Sequence, residues 1–204
     1  MSDVFDPRTF GEVLVTLVVI MDPIGNVPIF LGLTAGRAGW RRRRLALHAV
    51  LVSLLVISLF AVLGQQILSY LHIGIPAMQG AGGLLLLVVA LELLTGRADD
   101  PTQVENVSVA LVPLGTPLLA GPGAIVATIV FVKQSEDLAE RASIGAGIVA
   151  VHLLVLLALL FSGVITRIIK ESGIVLLSRI AGLLLSAIAV QLIADSVRGF
   201  IEGG

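Results

Sequence analysis

The chain has no cysteine among its 204 residues. That excludes disulfides, thiolate metal sites and cysteine nucleophiles. Charge is nearly as scarce: Asp, Glu, Lys and Arg make up 13%, where a soluble domain carries about 25%. The net charge of −1 gives no electrostatic case for binding nucleic acid. The three histidines, His48, His72 and His152, are too scattered for a zinc motif, so no metal site and no resident cofactor are expected. There is no Walker A, H-E-x-x-H or G-x-S-x-G pattern. With no acid–base partner for its one mid-span carboxylate, the chain does not read as an enzyme.

What remains is apolar. Hydrophobic residues make up 57% of the chain, and the mean hydropathy is +1.07. Such a chain cannot cover a surface facing water, so its solvent is lipid. A bilayer core about 30 Å thick needs roughly 20 apolar residues per helix. Charge-free runs, divided at Leu71-His72-Ile73-Gly74-Ile75-Pro76, predict helices near 9–36, 44–70, 77–96, 108–132, 142–166 and 174–198. The fold expected is all-α, a single membrane domain over 1–204 with six transmembrane helices. The first stretch follows an acidic start and is interrupted by Asp22, Pro23 and Pro28, so it reads as a retained span rather than a signal peptide.

Short-loop lysines and arginines set the orientation. One side holds Arg37, Arg41, Arg42, Arg43, Arg44, Arg97, Arg167 and Lys170; the other holds Arg8, Lys133, Arg141 and Arg198. The richer side belongs in the cytoplasm, which puts both termini outside a bacterial or archaeal plasma membrane (the inner membrane, where there are two).

The two halves resemble each other at an offset of 99 residues. Gly80 to Leu86 aligns with Arg179 to Leu185, Ala90 with Ala189, Glu92 with Gln191 and Pro23 with Pro122. With three spans per half, the second repeat (about 108–200) enters from the opposite side to the first (about 9–96). A 3+3 inverted repeat is a transporter architecture with its site near the midplane.

The sharpest local signal sits at matching places in those halves. The first span carries Asp22-Pro23-Ile24-Gly25-Asn26-Val27-Pro28, and the fourth carries Pro113-Leu114-Gly115-Thr116-Pro117 followed by Gly121-Pro122-Gly123. Proline removes a backbone donor and clashes with the preceding turn. Pro23, Pro28, Pro113, Pro117 and Pro122 are therefore expected to break the first and fourth helices. Broken backbone at membrane depth is tolerated where it is buried or lines a wet cavity. Asn26 suits a helix N-cap and Pro28 a first turn. Both second half-helices would aim positive dipole ends at a common cavity, favouring a carboxylate. Asp22, an aspartate that costs about 2.5–3.5 kcal/mol at the bilayer centre, suits an ammonium group, a sodium ion or a proton. The substrate contacts expected are Asp22, Gly25, Asn26, Pro28, Thr116, Gly121 and Gly123.

These motifs resemble the MarC family of integral membrane proteins. The resemblance runs over nearly the whole chain and includes Arg43-Arg44, Gly82-Gly83, Arg179 and Gly182. It implies six helices with external termini, a place among LysE-like exporters and a link to neutral amino-acid transport.

Other polar residues read more plainly. Arg179 snorkels or pairs with an acid such as Glu92, Asp195 is interfacial and Gln191 is a contact between helices. His152 reads as hydrogen-bonding a neighbouring helix rather than relaying protons, and Gly32 and Gly36 as allowing close packing rather than dimerisation. Function is read as secondary transport or export of a small metabolite, a neutral amino acid first, driven by a proton or sodium gradient. The partners are that solute and the bilayer. The rivals are an ion or solute channel and a non-transport membrane protein of stress response.

Overall fold

In the computed structural model, residues 5–95 and 119–202 are described. Among them every regular element is a helix: α1 (Pro7–Met21), α2 (Asn26–Leu33), α3 (Gly39–Tyr70), α4 (Ile75–Thr95), α5 (Pro122–Gln134), α6 (Leu138–Leu160) and α7 (Ser162–Glu202). α7 is interrupted at Lys170, whose φ of 59° and ψ of 167° are not helical.

The local chemistry explains the ends. Asp6 caps α1 by accepting from the N–H groups of Arg8 (3.3 Å) and Thr9 (2.9 Å), with Pro7 in the first turn. The N–H of Asp6 itself donates to Ser143 Oγ at 2.8 Å, tying the start of α1 to α6. Gly121 and Pro122 start α5, and Asp137 caps α6 through the N–H of Glu140. At the head of α3 the Arg41 guanidinium lies 5.3 Å from the centre of the exposed Trp40 ring. That cation–π pair beside a run of arginines suits the polar edge of a membrane.

Four helices are long and apolar enough to cross a membrane: Gly39–Tyr70, Ile75–Thr95, Leu138–Leu160 and Ser172–Glu202. The pair Pro7–Met21 and Asn26–Leu33, bent by 48°, makes a fifth if it is one span. α5 has 13 residues, or about 20 Å at 1.5 Å per residue, too short to cross alone. The first part of the expected fourth span, with Pro113, Gly115, Thr116 and Pro117, lies outside the described residues.

Several boundaries differ from the sequence reading. The helix expected over 44–70 starts at Gly39, so Arg41, Arg42, Arg43 and Arg44 stand in its first turns and not in a loop. The helix expected over 142–166 starts at Leu138 and stops at Leu160. The chain turns at Phe161, and residues expected to divide between the fifth span and a loop form the first part of α7. No proline or glycine stands before that turn, so the apolar run hides it. Gly32 and Gly36 also depart from expectation. A Cβ on either would meet nothing within 4 Å, so neither packs against a helix of this chain among the described residues.

The interior forms two clusters. One joins α1, α2, α3, α5 and α6 around Leu17, Met21, Phe30, Ile57, Ile144 and Val155; the other joins α4 and α7 around Leu86, Ala90, Leu185 and Ala189. The outer faces are apolar too. Leu47, Leu51, Leu55 and Leu59 form an exposed row along α3, with Leu55 66% exposed. That would be untenable in water over so large an area, and it is the expected face toward lipid.

Between α4 and α7 small residues let the backbones meet. A Cβ on Gly83 would lie 2.8 Å from the carbonyl oxygen of Ala189, and one on Gly182 would lie 3.1 Å from that of Ala90. These contacts are related by the same 99-residue offset. Helix association in lipid relies on this close approach, since lipid offers no hydrophobic drive between helices. Gly83→Val is expected to cost about 1–3 kcal/mol, seen as a lowered unfolding midpoint in detergent. Gly32→Ala, at an open position, should leave the midpoint unchanged.

Candidate functional site

α1 ends where Asp22 adopts a left-handed conformation (φ 36°, ψ 72°) and its N–H bonds back to Val18 O. An aspartate tolerates that region better than most side chains. Pro23 follows with no N–H, which leaves the carbonyl of Val19 without its helical donor. The chain makes one tight turn and re-enters a helix at Asn26.

The polar groups of the turn satisfy one another at short range. The Asp22 side chain accepts from the N–H of Gly25 through Oδ1 at 3.0 Å. The Asn26 N–H donates to Asp22 O at 3.1 Å, and the Val27 N–H to Ile24 O at 3.0 Å. Asn26 is not the cap of α2; Gly25 holds that position. The buried Asn26 amide instead reaches back across the break and donates through Nδ2 to Met21 O at 2.6 Å. It thereby closes an open carbonyl at the end of α1.

This arrangement changes the electrostatic reading of α2. Pro28 brings no donor, and the first N–H groups of α2 are already used within the turn. Asp22 itself occupies the place an external anion would take. At the start of α5 the N–H of Gly123 has no acceptor among the described residues.

The second carboxylate oxygen is different. Asp22 Oδ2 is buried and has no hydrogen-bond partner among the described residues. Ser178 of α7 stands beside it. A Cβ on Gly25 would collide with Asp22 Oδ2 and lie 2.8 Å from Ser178 Oγ, so the absence of a side chain at Gly25 makes room for both. Ser178 carries no mark in sequence beyond being a polar residue within an apolar span. At the 99-residue offset it pairs with Gln79, another polar residue inside a span and itself buried; that coincidence is the signal available.

Asp22 opens on a cavity of about 500 Å³ bounded by α1, the break, α6 and α7, within the usual range of about 300–1,000 Å³ for small-molecule sites. Its wall is otherwise apolar, with Val18, Leu157, Phe161 and Leu184 prominent. No residue of α5 lines it. The two breaks nonetheless meet in the core, where Met21 and Phe30 share a cluster with Leu119, Ala120 and Ala124. Gly121 is half-buried as the cap of α5, Pro122 is exposed, and Pro23 is buried. Gly123 is buried under the side chain of Leu86. Pro28, half-buried, sits in the first turn of α2. Thr116 lies outside the described residues.

Away from the break, His152 is buried between α6 and α3. Its Nδ1 lies 2.7 Å from Ile148 O, and its Nε2 3.1 Å from Ser53 Oγ. A carbonyl can only accept, so Nδ1 carries the hydrogen and Nε2 accepts from the serine hydroxyl. The ring is an interhelical contact, as expected. Gln191 is not one: its amide donates to Asp195 Oδ1 at 2.8 Å along the same helix. Arg179 is exposed, and among the described residues it makes no ion pair, with Glu92 or otherwise.

Comparison with known proteins agrees over nearly the full length. The family described as "MarC family integral membrane protein" matches residues 8–201. A UPF0056 membrane protein of Archaeoglobus fulgidus is 33% identical over 191 residues, covering 89% of each chain. YvbG, a UPF0056 membrane protein of Bacillus subtilis, is 29% identical over 92% of this chain and 93% of its own. YhcE of Escherichia coli is 27% identical over 98% of this chain and 96% of its own. No solved structure matches. The break at Asp22-Pro23, the apolar outer faces and the match over residues 8–201 lead to one conclusion: the chain belongs to the MarC family of integral membrane proteins.

Proposed function

We propose that the chain is a secondary transporter or exporter of a small metabolite, a neutral amino acid in the first instance, driven by a proton or sodium gradient. The observation that carries this reading is the break in the first span, where Asp22 lines a cavity of about 500 Å³ and keeps one carboxylate oxygen buried without a partner among the described residues. Interrupted helices at membrane depth are where transporters hold solute and coupling ion. The ammonium group of such a solute would meet Asp22 at the negative end of α1. Gly25, Asn26 and Pro28 of the first break, and Thr116, Gly121 and Gly123 of the fourth-span break, would shape the rest of its path.

The architecture proposed with it is six spans as a 3+3 inverted repeat, with both termini outside the plasma membrane. The reciprocal contacts of Gly83 with Ala189 and of Gly182 with Ala90 support it. So does the Ser53–His152 hydrogen bond, which joins residues 99 apart. An internal two-fold axis would place such residues opposite each other.

Uptake of labelled glycine and alanine into proteoliposomes, under imposed pH or sodium gradients, tests the function. Saturable, gradient-dependent uptake is expected in the wild type, with a fall to background in Asp22→Asn. Flux that never saturates would favour a channel. No flux in folded, reconstituted protein would remove the transport reading.

A further inference from the structure

We propose that the coupling ion is a proton, carried on Oδ2 of Asp22, and that Ser178 on α7 is its positioning partner. The proposal rests on the transport reading for its purpose, though its test does not. Four features of the break point the same way. Oδ1 is already engaged by the Gly25 N–H, whereas Oδ2 is buried and unpartnered among the described residues. Ser178 Oγ and Oδ2 share the space that a side chain at Gly25 would fill. Pro23 leaves the Val19 carbonyl without a helical donor on the same cavity wall. Finally, the rest of that wall cannot answer a charge.

The choice between a proton and a metal cation follows from the number of oxygens. A cation taken out of water needs a shell of several oxygen ligands. Among the described residues the site offers Oδ2 and Ser178 Oγ, and no cluster of three acidic or histidine side chains exists. A proton needs a single oxygen and one acceptor. Among the described residues that line the cavity nothing else competes for it: α6 presents Leu154, Leu157 and Phe161, and α7 presents Leu177, Ala181 and Leu184, none of which titrates. Arg179, next to Ser178 in sequence, is exposed.

The exchange is simple. A proton arriving at Oδ2 forms a neutral carboxylic acid, whose O–H donates to Ser178 Oγ. When the proton leaves, the serine hydroxyl turns and donates its own hydrogen to the carboxylate. Ser178 thus serves both states, and each exchange changes the charge at the break by one. Because the serine belongs to α7 and the carboxylate to the first span, proton occupancy alters how those two elements are joined.

Infrared difference spectroscopy of the reconstituted protein across a pH titration, with no solute added, reads this directly. A carboxylic-acid carbonyl band that appears on acidification and is missing in Asp22→Asn is expected. Ser178→Ala should keep the band but displace its frequency and its titration midpoint, and Ser178→Thr should restore both. A titration with no band that Asp22→Asn removes would overturn the proposal. So would a band that follows sodium concentration at fixed pH. Uptake without the band would sink the proton site alone, and the band without uptake would sink the transport reading alone.

Discussion

Gly25→Ala should reduce uptake at least about tenfold, which corresponds to about 1.4 kcal/mol, and should lower the unfolding midpoint. The added methyl group would lie 2.7 Å from Asp22 Cγ and 2.8 Å from Ser178 Oγ, closer still to Oδ2. Neither neighbour can yield freely. The carboxylate is held by the Gly25 N–H, and the serine is fixed on a packed helix. Overpacking of this kind costs typically 1–3 kcal/mol. A double-mutant cycle separates the clash from any general loss of turn geometry. If the carboxylate is what the methyl strikes, Asp22→Ala/Gly25→Ala should be more stable than the sum of the two single changes allows. Additive losses would mean that Gly25 matters for another reason.

The second large effect concerns Phe30, the fully buried aromatic of α2 that seats the break against the core. In a soluble protein Phe→Ala costs about 3–5 kcal/mol, of which part is transfer of the ring out of water and part is the cavity left behind. In a membrane the unfolded reference still lies in lipid, which is as apolar as the core, so the transfer part falls away. The cavity part remains. For a void on the order of 100 Å³ at about 24 cal/mol per Å³, it comes to about 2.4 kcal/mol. Reversible unfolding of Phe30→Ala within a bilayer should therefore give about 2–2.5 kcal/mol. A loss at the soluble figure would mean that the unfolded α2 leaves the lipid for water.

The break was legible in sequence because proline and glycine act through the backbone alone, whatever surrounds them. Asp22-Pro23 announces a lost donor, and the helix does stop at Met21. Which residue caps the next helix was less legible. Asn26 and Gly25 both suit a cap, and the left-handed turn at Asp22 shifts the register so that Gly25 takes the place. The end of α6 at Leu160 was hidden for a related reason: an apolar run reports lipid contact, not helix continuity. The partner of Asp22 was out of reach as well. Ser178 comes to it through tertiary packing, and a single serine on an apolar helix more often bonds its own preceding turn, as Ser186 does to Leu183 O here. Gly83 and Gly182, which the 99-residue offset aligns, both lie where two backbones touch.

The hydrogen bonds of the break also bear on how the protein is made. Ser178 is synthesised 156 residues after Asp22, and at ~5–20 residues per second that is a wait of roughly 8–30 s. During that interval the first span must enter the bilayer with an aspartate and an interrupted backbone at its centre. The bonds from the Gly25 N–H to Oδ1, from the Asn26 N–H to Asp22 O and from Asn26 Nδ2 to Met21 O all close within five residues. The turn thus meets most of its own polar needs as it leaves the ribosome, and only Oδ2 has to wait for the last helix to arrive.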